Sequence, residues 1–597
     1  MYATITQEMV SSGDWVTLRF DGVRYFEKPP LWFWLTALGY SILGPSEFTT
    51  RLWSALPALG LVLVTYLLGR RLIGDQGGFY AALILASNFL LPLSARRAST
   101  DLLFSFFLAL ALYGFVLCAQ EAKGFLQGPL FFSLGIGLAV LAKGLTGLLF
   151  PLLIVGLYVL VTGESAPLGR LRPSLGIPLV LLIVLPWHLM AAFRNEGFLW
   201  YYLMENHVHR FLGNRIVPHD DIPASTMGFL AVTALWFFPW SVLLPPAFVG
   251  FIGRVRGLFR DQKRDLSSGA RVAFSGYPRV AGEGDPSWSD EIKALDGIRT
   301  DERLWLLVPL WVLVIFGVFA VSGFKHEYYS LPAFPALSLM VGGLWAGGLG
   351  LSSGPPGQPP KAALTRTTLW LALSFAGAAL YLVLLFLWKG AFTTEHVLAG
   401  LAGVNVSFRV LLKQGINLPA DFGPQVFSLL ALCELFALVG FGVAWLLSWL
   451  RHPGLSFGIL VVMGVAIGLL ILPFFHLLEP HYSVKAVSSA LVAQVGPEDL
   501  IVHEGRLERG GGLRFYTGHQ VYIVNGWEGS LRFGSGYPEA RHLFLGTAEF
   551  VHLWEGPSRV FLVTNFPLER SIRRFLKSQT VHELGLYGSR WLFSNRE

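Results

Sequence analysis

Apolar stretches of about 20 residues recur along the first 470 or so positions of this chain, each long enough to cross a hydrocarbon core of about 30 Å. Reading apolar runs between charged or Gly/Pro breaks predicts spans near 47–69, 77–95, 100–119, 127–142, 146–162, 175–193, 226–252, 304–322, 331–349, 367–388, 426–448 and 455–473, about twelve in all. The stretch 29–43 is apolar but short, which suits an interfacial or partly buried helix. Composition agrees with a polytopic membrane protein: 53% of residues are hydrophobic, 14% are charged, and the mean hydropathy is +0.56, against about a quarter charged in soluble domains. A net charge of +7 suits an anionic membrane surface or anionic lipid head groups. No long basic run or basic-aromatic stripe occurs, so nucleic acid is excluded as a partner. Cys118 and Cys433 both lie in apolar stretches, which points to neither a disulfide framework nor a thiolate metal site.

Orientation follows from the placement of Lys and Arg. Arg70, Arg71, Arg170, Arg172 and the cluster Arg254, Arg256, Arg260, Lys263 and Arg264 fall on one side, taken as cytoplasmic. The opposite loops also carry cations: Arg96, Arg97, Lys143, Arg194, Arg210, Arg215 and Lys325. Cations placed against the positive-inside trend need another reason, and an anionic substrate supplies one. Three regions follow: an outer loop with juxtamembrane helices (1–46), a transmembrane region (47–473) and an outer C-terminal domain (474–597). Because an outside start ahead of an ordinary span has nothing to carry it across, an anchor helix is expected to precede Met1.

Residues 1–12 read as a short amphipathic helix, 265–303 as a polar loop, and 352–357 as a linker. In the last 120 or so residues, 500–503, 520–524 and 559–563 read as short buried strands, with helical patterns at 482–495 and 567–577. That alternation predicts a small α/β domain. Gly510-Gly511-Gly512 lacks the strand–GxGxxG–helix context of a dinucleotide site and reads as a loop.

Several outer segments could carry chemistry. Tyr25-Phe26-Glu27-Lys28-Pro29-Pro30 reads either as an interfacial ion pair with a snorkelling Lys28 or as a cation held for a lipid phosphate, its backbone fixed by the prolines and Tyr25 within reach. Asp101 sits at the outer mouth of a span, either as a helix cap paired with Arg96 or Arg97 or as a catalytic carboxylate. In Glu205-Asn206-His207-Val208-His209-Arg210 the histidine spacing is not that of an HExxH metal site, whereas Arg210 flanked by aromatics suits a phosphate. Pro218-His219-Asp220-Asp221 follows. Lys325-His326-Glu327-Tyr328-Tyr329 lies in a short outer turn, as a polar hairpin or as part of the same site. Glu27, His207 and His219 are the candidate ligands if a divalent metal ion takes part. The convergence of several cation-and-aromatic segments on one membrane face is what points to a site.

These residues match a known pattern. Ser12-Gly13-Asp14-Trp15-Val16, Tyr25 to Pro30 and Glu47-Phe48-Thr49-Thr50-Arg51-Leu52 resemble the first outer loop of glycosyltransferase family 39 and its relatives, the polyprenyl-phosphate-sugar-dependent enzymes that include protein mannosyltransferases and the lipid A aminoarabinose transferase. Lys325 to Pro335 is similar to that family's Lys-x-x-x-Tyr-x-Leu-Pro-x-x-Pro turn, and Phe515-Tyr516-Thr517-Gly518, Phe533-Gly534-Ser535 and Leu553-Trp554 resemble the periplasmic domain of its bacterial members. The resemblance implies a polytopic α-helical GT-C fold with a small C-terminal α/β periplasmic domain, in a bacterial inner membrane. It implies transfer of a sugar from undecaprenyl phosphate to lipid A, protein or glycan at the periplasmic face. By residue, Lys28, Arg210, Tyr25, Tyr329 and Lys325 would bind the donor phosphate, Glu27, His207 and Tyr2 would support it, and Asp101 would be the catalytic carboxylate. Tyr2 matches the Tyr of the family's Asp-Glu-x-x-Tyr motif, so the motif's acidic pair and the family's first span would precede Met1. A lipid-phosphate transporter and an inactive binding relative are the alternatives; the few charges near the middle of the spans argue against transport.

Overall fold

The computed structural model describes residues 1–120, 126–217, 225–252, 303–346, 361–388, 393–395, 418–526, 531–577 and 580–597. Residues 265–302 of the polar loop, the basic cluster at 254–264, the linker 352–357 and His219 lie outside these residues.

The chain opens with α1 (Tyr2–Ser12), ended by Gly13 in the left-handed region (φ 69°). A two-stranded hairpin follows, β1 (Arg19–Phe20) with β2 (Val23–Arg24), turning at Asp21 (φ 54°) and Gly22 (φ 86°). Positive φ at both central residues is the geometry that Asp-Gly favours in tight hairpins. The apolar α2 (Leu31–Leu43) is the short helix expected at 29–43. Next comes α3 (Glu47–Ser87), capped by Ser46 Oγ accepting from the Thr49 N–H at 3.1 Å. It is bent at Gly74 (φ 83°), so the expected spans 47–69 and 77–95 begin as the two arms of one broken element. The second arm ends at Ser87 and is followed by α4 (Leu90–Ala95).

The bundle continues with α5 (Asp101–Gln120), α6 (Gln127–Lys143), α7 (Thr146–Thr162), α8 (Ala166–Arg170) and α9 (Pro173–Arg194). Beyond it come a π-helical stretch Trp200–His209, the helices Thr226–Trp236 and Leu307–Val321, and a 3₁₀ turn Glu327–Ala333 leading into the helix Phe334–Ala346. The last membrane helices are Lys361–Trp388, Phe422–Trp449, Pro453–Leu470 and Leu472–Tyr482.

Among the described residues seven helices are long and apolar enough to cross a membrane, and eight if the bent pair Thr226–Trp236 and Trp240–Ile252 is one span. The expected figure of about twelve differs because α3 holds two expected spans, and because α6, α7 and Leu307–Val321 are apolar helices of fewer than 18 residues. All twelve expected segments nonetheless fall on helices. Outward side chains such as Phe193 (87% exposed) and Leu160 (80%) have no protein partner to cover them, which suits contact with lipid.

The C-terminal domain holds β3 (Leu500–Glu504), β4 (Val521–Val524), β5 (Phe544–Leu545), β6 (Val560–Thr564), β7 (His582–Tyr587) and β8 (Arg590–Ser594) in one sheet of order β5-β4-β3-β6-β8-β7. The first four strands pair in parallel, and β8 and β7 extend the edge antiparallel. The helix expected at 482–495 is Lys485–Val492. The helix expected at 567–577 is instead two 3₁₀ turns, Leu568–Arg570 and Ile572–Phe575. Buried Glu504 is the reason: it accepts from Ser571 Oγ (2.7 Å), the Ile572 N–H (2.6 Å) and Thr564 Oγ1 (2.6 Å), so the backbone there bonds across the domain instead of along a helix. Gly510-Gly511-Gly512 lies where two short helices, Leu507–Gly510 and Gly512–Thr517, meet.

Candidate active site

Four parts of the chain bring polar groups to one end of the bundle. The first is the segment after β2. Tyr25 is buried, and its ring lies 6.4 Å from that of Tyr2, which also meets Trp32 (5.4 Å) and Phe33 (5.3 Å). This aromatic nest fixes the backbone that carries Glu27 and Lys28. The Lys28 side chain is half-buried and, among the described residues, makes no hydrogen bond or ion pair. Burial lowers its pKa to about 8, helped by the charges of Arg210 and Lys143 and opposed by those of Glu27 and Asp101. A partly desolvated ammonium with no hydrogen bond or ion pair among the described residues suits an anion from outside the fold.

The second and third parts are the start of α5 and the end of α6. Asp101 Oδ1 pairs with Lys143 Nζ, both side chains largely buried, and Asp101 Oδ2 accepts from Ser99 Oγ at 2.7 Å. The partner is therefore Lys143, and not the Arg96 or Arg97 expected for a helix cap; Arg97 lies over the Tyr328 ring at 5.6 Å. Lys143 Nζ also lies over the rings of Tyr329 (4.8 Å) and Phe104 (5.3 Å). Behind it, Gly144 has φ 83°, and a Cβ there would stand 2.5 Å from His207 Nε2 and 2.9 Å from the Tyr202 hydroxyl. Only glycine fits that turn.

The fourth part is the π-helical stretch and its continuation. Arg210 stacks over Phe324 at 4.4 Å, and its charge reaches Lys28. His207 turns away from ligand chemistry. Its Nε2 accepts from the Leu145 N–H at 3.1 Å, so the proton sits on Nδ1, which donates to the Tyr202 carbonyl at 2.6 Å. Burial lowers its pKa to about 4, keeping the ring neutral. It holds the turn after Lys143 in place and has no nitrogen left for a metal. Glu205, fully buried, accepts from the N–H groups of Ile216 (3.2 Å) and Val217 (2.9 Å) and pairs with Arg215 at 3.4 Å. Asn206 joins this network to the first loop by donating to the Phe26 carbonyl at 3.4 Å.

Tyr2, Tyr25, Glu27, Lys28, Asp101, Arg210 and Tyr329 thus share one cluster, and their mutual charge effects link them. Lys325 is placed differently from its expected phosphate role. It is buried and donates to the Ser322 carbonyl at 2.8 Å, capping the end of helix Leu307–Val321. The residue that sequence reading left in a general list of outer cations is Lys143. The signal for it was the Lys143-Gly144 pair closing a helix, a cation at a helix C-terminus with a residue free to turn.

Comparison with known proteins agrees with this arrangement. The family described as dolichyl-phosphate-mannose-protein mannosyltransferase matches residues 27–189, the stretch that holds Glu27, Lys28, Asp101 and Lys143. An undecaprenyl phosphate-alpha-4-amino-4-deoxy-L-arabinose arabinosyl transferase from Pseudomonas aeruginosa (strain LESB58) is 34% identical over 344 residues, 57% of this chain and 54% of that protein. Its counterpart from Edwardsiella ictaluri is 31% identical over 258 residues, 42% of this chain and 46% of that protein. The matched part of the chain thus spans about half the length of these curated relatives. In fold, the chain is similar to the crystal structure of ArnT from Cupriavidus metallidurans bound to undecaprenyl phosphate, with a TM-score of 0.73, 21% identity, and coverage of 100% of this chain and 92% of that one. The chain thus has the fold of ArnT over its whole length and, over part of it, is similar in sequence to the mannosyltransferase family and to the aminoarabinose transferases.

Proposed function

We propose that the chain moves a sugar from a polyprenyl-phosphate carrier to an acceptor at the periplasmic face of a bacterial inner membrane. The observation that carries this reading is Lys28, an ammonium held by an aromatic nest beside Arg210 and Lys143 and given no partner among the described residues. The names of the relatives support undecaprenyl phosphate as the carrier and 4-amino-4-deoxy-L-arabinose as the sugar. The enzyme is then a pentosyltransferase, with lipid A, a protein or a glycan as the acceptor.

The chemistry follows from where charge develops. An acceptor oxygen attacks the anomeric carbon, the bond to the phosphate oxygen breaks, negative charge grows on the departing lipid phosphate, and a proton carried by the acceptor passes to that phosphate or to water. Fixed cations that meet this charge stabilise the transition state more than the ground state. Lys28 and Arg210 meet the phosphate. Asp101 holds Lys143 aimed into the same cluster, which is an electrostatic part: with Lys143 and Ser99 on its two oxygens, it is poorly placed to take up the acceptor's proton.

Of the candidate metal ligands, His219 lies outside the described residues. Among the described residues no three His, Cys, Asp or Glu side chains converge, and His207 has both nitrogens engaged.

Native mass spectrometry of the protein purified in mild detergent tests the reading at the level of binding. Wild type is expected to carry a polyprenyl phosphate, and Lys28→Met and Arg210→Met to lose it. Equal retention by all three proteins would remove the phosphate role from these side chains.

A further inference from the structure

The donor-facing residues Tyr25, Glu27 and Lys28 follow directly on the hairpin β1–β2, and that hairpin is held mainly by the C-terminal domain, some 500 residues away in sequence. The Asp21 side chain, at the hairpin turn, is fully buried. Its Oδ1 accepts from Arg514 Nη1 (2.9 Å) and Gln520 Nε2 (2.9 Å), and Gln520 also donates to the Asp21 carbonyl (3.1 Å). On the other strand ends, Glu539 Oε1 accepts from Arg24 Nε at 2.5 Å and Arg19 Nη1 at 3.3 Å, and Arg24 lies over the Tyr537 ring at 4.1 Å.

Two glycines of the C-terminal domain make room for the hairpin. A Cβ on Gly511 would stand 1.9 Å from Phe20 Cζ, and one on Gly534 would stand 1.9 Å from the Arg24 carbonyl oxygen. The triple glycine that reads as a loop in sequence therefore has a use: it is the seat of the Phe20 ring. Helix α1 joins the same contact. Glu8 accepts from the Gly22 N–H at 2.9 Å and faces Arg514 at 3.9 Å, and Thr4 Oγ1 donates to the Gly511 carbonyl.

We propose that Arg514 is a positioning residue for Lys28: its grip on Asp21 fixes the hairpin and so fixes the ammonium that meets the donor phosphate. Three residues separate the end of β2 from Lys28, two of them the buried Tyr25 and Phe26, so a shift of the hairpin is passed on rather than absorbed. The electrostatics are consistent with a tight contact. Two carboxylates, Glu8 and Asp21, face one guanidinium, with Arg19 nearby, and burial pushes Asp21 up to about 7 and Glu8 up as well. The C-terminal domain is thereby a clamp on the donor loop, and its effect on the reaction runs through the hairpin.

This inference rests on the glycosyl-transfer reading, so its test has one arm that does not. The first arm is hydrogen exchange at fixed pH on the full chain in detergent, with no donor added. Arg514→Met and Asp21→Ala are expected to raise exchange across 17–28 while α5 and α6 stay protected. Unchanged exchange in that segment would overturn the clamp. The second arm is transfer from an undecaprenyl-phosphate-linked sugar. Arg514→Met is expected to lower kcat/KM by about ten- to a hundred-fold, as a small misplacement of a substrate-gripping group does, and Arg514→Lys to restore part of it. In a Lys28→Met background, Arg514→Met is expected to add little. An equal, additive loss in both backgrounds would overturn the positioning role. Absence of transfer by wild type, with the exchange result as expected, would count against the glycosyl-transfer reading and leave the clamp standing.

Discussion

Asp101 and Lys143 lie 42 residues apart in sequence, at the mouths of adjacent helices, and close an ion pair with side chains only 17% and 13% exposed. Removing one partner of such a pair leaves a buried charge alone, which costs about 3–5 kcal/mol. Asp101→Asn and Lys143→Met are each expected to lower both activity and thermal stability, and the double variant to lose much less than the sum. A double-mutant cycle on the melting temperature and on kcat checks this. Additive losses would show that the two side chains act separately.

On the proposed function, Lys28 is expected to set the size of the leaving-group effect. Loss of one preorganised donor to a developing anion costs roughly 10²–10³ in rate. Lys28→Met is expected to lose transfer on that scale while keeping its melting temperature, because Lys28 has no hydrogen bond or ion pair to lose among the described residues.

The pH dependence follows from the same group. With its pKa lowered to about 8, Lys28 is charged below that pH and loses its proton as pH rises through it. Donor capture needs the charged form, so kcat/KM is expected to fall above pH 8 or so, since that ratio reports the free enzyme. Lys28→Arg, which stays protonated, should move the alkaline limb upward. An unchanged limb in this variant would assign it to another group.

Gly144 offers a test of the turn behind Lys143. An alanine there meets both the left-handed backbone (φ 83°) and the His207 ring at 2.5 Å, a strain of about 1–2 kcal/mol from the backbone alone. Gly144→Ala is expected to cut activity sharply while the C-terminal domain keeps its protection from proteolysis, and Gly163→Ala, at a helix end with nothing within 4 Å, to serve as the control.

Much of this was legible in sequence. Apolar length alone placed the helices, the cations standing against the positive-inside trend included Arg210 and Lys143, and Lys28 stood out beside Glu27 and the two prolines. What sequence could not show was pairing across the fold. Asp101 reads locally as a helix cap beside two arginines, yet its partner comes from α6. Lys325 and His207 look like ligands from their place in polar, aromatic outer segments, yet Lys325 is consumed by the nearby Ser322 carbonyl and His207 by the Tyr202 carbonyl and the Leu145 N–H, which the fold brings near. In the C-terminal domain the strands β7 and β8 were missed although Gly588 marks their turn, because β7 is half-exposed and its pattern weak. The supposed helix at 567–577 failed for the opposite reason: Glu504, some 67 residues earlier, takes the hydrogen bonds that a helix would need.

The most direct measurement is sugar release from a labelled undecaprenyl-phosphate-linked donor, followed with purified wild type and Lys28→Met in lipid nanodiscs. Transfer by wild type, reduced at least about a hundred-fold in the variant, is the predicted result. Cleavage at equal rates by both proteins would contradict the role of the cationic cluster, and a wild type that binds the lipid without ever breaking the sugar–phosphate bond would contradict glycosyl transfer itself.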